Sequence, residues 1–185
     1  MVVLRTLLVL LLVAAAVAAG ADDRSDLEYQ VKAAFLFNFA KFVEWPADAF
    51  ATPQAPVVIC VLGTDPFGDS LDQVVRGETV NGRPLAVRRL RQLLQVRECQ
   101  IVFLAGAERR WQDELLSSIE GASVLTVGEG DGFLNGGGII RFVLEENRVR
   151  FDINLGAAEA SRLKLSSRLL RLARSVQTPQ PGEES

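Results

Sequence analysis

The feature most informative about chemistry is a missing one: the 185-residue sequence contains no histidine. Histidine is the commonest general base, the commonest metal ligand and the partner in Ser–His and Cys–His nucleophile pairs. No G-x-S-x-G elbow and no Walker loop takes its place. Asp65, Asp131 and Asp152 stand without neighbours that suggest a perturbed carboxylate pair. The expectation is a protein that is not an enzyme, with no catalytic residue, no metal site and no cofactor.

Three other groups of residues invite a chemical reading. Cys60 and Cys99 lack the CxxC spacing of thiol catalysis. In an exported chain they favour pairing, with two buried thiols as the alternative. The run Gly128-Glu129-Gly130-Asp131-Gly132-Phe133-Leu134-Asn135-Gly136-Gly137-Gly138 suggests phosphate binding, but Asn135 stands where a third dinucleotide glycine belongs. The run also leads into a strand instead of a helix N-terminus, and Glu129 and Asp131 would repel an anion, so tight turns explain it better. Arg162, Lys164, Arg168, Arg171 and Arg174 read as a solvated face, with an acidic partner as the sharper option. Arg88, Arg89 and Arg91 admit the same two readings.

The elements that must position these residues follow from periodicity and punctuation. Ser25-Asp26-Leu27-Glu28 fits a capping box that starts a helix running to about Val43, where Trp45-Pro46 forbids continuation. Its stretch YQVKAAFLFNFAKFVEWP (Tyr29–Pro46) is apolar on nearly every face, as expected of a helix packed against a sheet, with self-association as the role of any exposed remainder such as Phe37 or Trp45. Val57–Leu62 is a β-branched strand buried on both faces. Asp65-Pro66 starts a helix through about Val75, and Asn81-Gly82 marks a turn before the strand Pro84–Leu90. Cys99–Leu104 and Ser123–Val127 are further strands, separated by a helix over Glu108–Glu120. Ile139–Leu144 and Arg148–Leu155 form a hairpin, Leu163–Leu165 is extended, and a last helix runs from Ser166 to about Val176. Leu169, Leu172 and Val176 should form its buried edge. The expected fold is α/β: one three-layer domain, a mixed and mostly parallel sheet with helices on both faces and a C-terminal β-hairpin.

The ends bound the domain. Residues 1–21 carry a basic start, an apolar run and Ala19-Gly20-Ala21, the order of a cleaved signal peptide. Residues 22–176 form the domain, and 177–185 a disordered tail with nothing apolar to bury. Removing Arg5 with the signal leaves nineteen basic and twenty-three acidic residues, a formal charge of −4. Such a balance argues against a nucleic-acid partner.

Several blocks then stand in a recognisable order. They are VKAAFLFNFAKFVEWP (Val31–Pro46), VICVLG followed by DPFG (Val58–Gly68), GRPL (Gly82–Leu85), CQIVF (Cys99–Phe103), GDGF (Gly130–Phe133) with RVRFDINL (Arg148–Leu155), and LKLSSRLL (Leu163–Leu170). Together they resemble the YfiR-like family across roughly Tyr29–Val176. The resemblance implies a periplasmic α/β regulator that binds the periplasmic region of an inner-membrane diguanylate cyclase, represses it and lowers cyclic-di-GMP output. It further implies a homodimer, an outer-membrane lipoprotein able to sequester the repressor, and a structural disulfide between Cys60 and Cys99. The second cysteine pair that some members carry near the glycine-rich block is missing here. Arg162 stands where members often place glycine.

The expected partner surface is an apolar patch of Phe133 and Ile140 flanked by Asp152 and Lys164, with Arg168 among the adjoining basic residues. The rival reading is a periplasmic small-ligand receptor with a pocket at the carboxyl ends of the parallel strands, near Gly63–Gly68 and Gly128–Gly132.

Overall fold

The computed structural model describes residues 24–106 and 109–178. The expected signal peptide, and the tail from 179 onward, lie outside the described residues.

Helix α1 covers 24–42 and passes directly into strand β1, Val43–Glu44. Then come β2 (Val57–Leu62), α2 (Ser70–Val75), β3 (Thr79–Val80) and β4 (Arg83–Leu90). A 3-10 helix at Leu93–Glu98 leads to β5 (Ile101–Leu104), α3 (Arg109–Ser118) and β6 (Leu125–Gly128). The chain ends with β7 (Ile140–Glu145), β8 (Arg148–Asn154), α4 (Leu155–Ala160), β9 (Lys164–Leu165), α5 (Ser167–Leu172) and β10 (Ser175–Gln177).

Eight strands form one sheet in the order β10-β8-β7-β6-β5-β2-β4-β3. The centre is parallel, from β4 through β2, β5 and β6 to β7. Antiparallel pairs flank it at β7–β8 and β3–β4. Strands β1 and β9 form a separate two-stranded sheet. This is the expected α/β domain with a mixed, mostly parallel sheet.

Alternation along β2 sorts its side chains into two cores. Val57, Ile59 and Val61 face α1 and α2, meeting Leu36, Phe39 and Leu71. Val58, Cys60 and Leu62 face the other layer, meeting Val96, Leu115 and Ile119. The first core explains the apolarity of α1. Phe35 and Phe39 pack on Phe142 and Phe151 of the hairpin, with ring centroids 5.2–6.0 Å apart. The second core holds the Cys60–Cys99 disulfide, which joins β2 to the end of the 3-10 helix across 39 residues.

Three differences from the sequence expectation have a local cause. The helix expected from Pro66 begins only at Ser70, because the Asp65 carboxylate accepts the Phe67 N–H at 2.8 Å and keeps this segment in a turn. A short helix, α4, follows β8 because Asn154 caps it through the Ala157 N–H. The last expected helix, Ser166–Val176, stops at Leu172, and Ser175–Gln177 becomes β10 in parallel register with Asp152–Asn154. The edge of β8 offers the chain backbone partners that a continued helix would forgo, beginning with Arg174 N–H to Phe151 C=O at 2.8 Å. Leu172 is consequently exposed instead of forming a buried edge with Leu169.

Candidate functional site

The five residues expected to form a partner surface separate into an interior set and an exposed set. Phe133 and Ile140 are buried, with relative exposures of 1% and 0%. The Phe133 ring lies between Gly128 and Gly138, where a Cβ on Gly128 would fall 2.6 Å from it. These glycines are small because the ring occupies the space a side chain would take, and Gly132 and Gly137 supply left-handed turns on either side. Lys164 and Arg168, by contrast, are exposed, with the Arg168 guanidinium 5.3 Å from the Phe42 ring centroid.

Asp152 is buried in an ionic network. Its carboxylate accepts from Arg174 at 2.7 and 2.9 Å, from Arg141 at 2.9 Å and from the Ser175 hydroxyl at 2.8 Å. Burial pushes this carboxyl upward, but the donors from Arg174, Arg141 and Ser175 outweigh it and hold the pKa well below the usual range. Arg141 extends the network to Asp131 at 3.1 Å, and Arg174 extends it to Glu145 at 3.4 Å. Arg174 therefore belongs to a link between β10 and β8, not to one helix edge with Arg168 and Arg171.

A second ionic group lies beside the first. The buried Lys32 of α1 pairs with Glu28 and Glu129, and the Tyr29 hydroxyl donates to Glu129 at 3.2 Å. Burial, followed by the nearby Glu129 carboxylate, pushes the Tyr29 phenol above its ordinary range. Glu28, Lys32, Glu129, Asp131 and Arg141 together line a depression of about 300 Å³ between α1 and the hairpin.

A different cleft, of about 680 Å³, opens at the carboxyl ends of β2, β4 and β5. Gly63, Thr64, Asp65, Arg89, Arg91 and Trp111 are among its lining. Arg89 is fixed there by Asp65 at 2.8 Å, by Asp72 and by the Gly68 carbonyl at 2.9 Å. The hydrogen bond from Arg89 lowers the Asp72 pKa. The Gly63–Gly68 side of the expected pocket thus meets a real cleft, whereas Glu129 lines the separate depression by α1. Sequence pattern alone reads Trp111, in an amphipathic helix, as a core residue. At 38% exposure it is not one.

Arg162 takes a φ of +58°, the left-handed backbone that glycine adopts without strain. Its guanidinium reaches Asp48 at 2.8 Å.

Comparison with known proteins bears on family. A crystal structure of a conserved domain protein from Vibrio cholerae O1 biovar El Tor aligns at a TM-score of 0.45 and 11% identity. That alignment covers 65% of this chain and 55% of the other, so the chain spans about half the length of that structure. The profile of the YfiR/HmsC-like family matches residues 29–174, which takes in the buried residues of both cores, the disulfide, and Asp152 with its Arg141 and Arg174 partners. On that match the chain belongs to the YfiR/HmsC-like family.

Proposed function

We propose that this protein is a periplasmic, non-enzymatic regulator that binds the periplasmic region of an inner-membrane diguanylate cyclase and represses it. The observation that carries this reading is the family match over 29–174. The Cys60–Cys99 disulfide supports an oxidising compartment, and the described residues include no helix long and apolar enough to cross a membrane.

The contact surface is proposed to centre on Lys164 and Arg168, the two expected residues that reach solvent. Their charges suit an acidic partner surface and would steer association. Asp152 ties the C-terminal strand to the hairpin, and Ile140 lies in the core that also holds Leu163 and Leu169, whereas Phe133 lies in the other core. Self-association is assigned to α1, whose Leu27 and Val31 are exposed at 62% and 38%.

The test is co-purification of the exported protein with membrane proteins that carry a cyclase domain. Capture that is lost in the Lys164→Glu/Arg168→Glu variant supports the reading. Failure to capture any such protein from envelopes that contain one contradicts it.

A further inference from the structure

The cleft at the carboxyl end of β2 lies where the sheet changes direction. From β2 the chain passes through α2 to β4 on one side, then returns through the 3-10 helix to β5 on the other. Leu71 of α2 belongs to the first core and Val96 of the 3-10 helix to the second, so the two connections cover opposite faces. Connections that diverge in this way leave a crevice outside the strand ends, and open α/β sheets bind ligands there.

The wall chemistry narrows what fits. Trp111 presents a partly open indole, an amphipathic surface suited to stacking a flat ring. Arg89 is committed to Asp65 and Asp72, whereas Arg91 has no carboxylate partner among the described residues. Among the described residues, Arg91 is the cation of the cleft lining without a carboxylate partner, and it can meet a ligand anion. Gly63 and Gly106 take φ of +98° and +94° at the ends of β2 and β5. A Cβ at Gly63 would lie 3.1 Å from the Ala105 carbonyl oxygen, so the ends of β2 and β5 approach closely at the cleft.

We propose that this switch-point cleft binds a small planar aromatic anion, its ring against Trp111 and its anionic group on Arg91. A volume of about 680 Å³ accommodates a molecule the size of a nucleoside monophosphate. Neither Lys164 nor Arg168 lines the cleft, so this site stands or falls independently of the cyclase-repressor reading.

Calorimetric titration of the purified protein tests it with four probes. Adenosine 5′-monophosphate and 2-naphthoate carry both ring and anion, while adenosine and inorganic phosphate carry one each. Saturable binding of at least one of the first two is expected, and which one binds identifies the anion as phosphate or carboxylate. Arg91→Ala and Trp111→Ala should each weaken that binding about tenfold, and Trp111→Phe should restore most of it. Both side chains are exposed, so unchanged thermal melts should accompany the loss. No saturable binding by either ring-bearing anion overturns the proposal. So does equal affinity for adenosine or inorganic phosphate, or binding insensitive to both alanine variants.

Discussion

Asp152 ties three elements together through one carboxylate: Arg141 from β7, Arg174 just before β10, and Ser175 within it. Asp152→Asn should cost about 2 kcal/mol, since two guanidiniums lose a charged acceptor while Arg174 keeps some access to water. Urea melts measure this. Because its folded pKa is depressed, this carboxylate contributes stability above its unfolded pKa of about 4. That contribution is lost as pH falls below about 4 toward the folded value, and the Asp152→Asn variant should show a correspondingly weaker acid dependence. Gly138→Ala tests the neighbouring packing. Its Cβ would overlap the Phe133 ring and should destabilise by about 2 kcal/mol, with Phe133→Ala costing about 4 kcal/mol. None of this was legible locally. Asp152 and its partners are 11, 22 and 23 residues apart in sequence, and a glycine-rich run around Phe133 reads as exposed unless the ring is seen to fill it.

At the scale of elements, β2 and α1 were the most legible and the C-terminus the least. Continuous β-branched runs such as Val57–Leu62 announce doubly buried strands, and the all-round apolarity of α1 announces a helix between a sheet and its surroundings. The spacing of Leu169, Leu172 and Val176 suits a helix equally well in isolation, but the open edge of β8 decides in favour of β10. Tertiary pairing overrides local periodicity there. A chain ending at Leu172 should therefore melt well below the full protein, and by more than Asp152→Asn, because it loses β10 and uncovers the β8 edge. Cys60→Ala/Cys99→Ala should cost roughly 4 kcal/mol, as expected for a closed loop of this length, and the sign is read from denaturant midpoints. An unchanged midpoint would mean that the second core holds the 3-10 helix without the covalent link.

At the scale of the whole molecule, a doubly wound domain offers two separate places for function. The exposed basic residues Lys164 and Arg168 adjoin the C-terminal segment, and the strand-end cleft carries Arg91 and Trp111. A histidine-free composition argues against the commonest catalytic designs, and the match over 29–174 shows membership of the YfiR/HmsC-like family. Which of the expected surface residues reach solvent was less legible, because burial depends on the sheet order and one-dimensional patterning does not carry it. The most direct test of the central claim is intracellular cyclic-di-GMP in a deletion strain, with and without the intact membrane-bound cyclase. Repression predicts a several-fold rise on deletion that is reversed by the native gene, is not reversed by the Lys164→Glu/Arg168→Glu variant, and vanishes when the cyclase is inactivated. Cyclic-di-GMP that stays level on deletion, or rises equally without the cyclase, would contradict it.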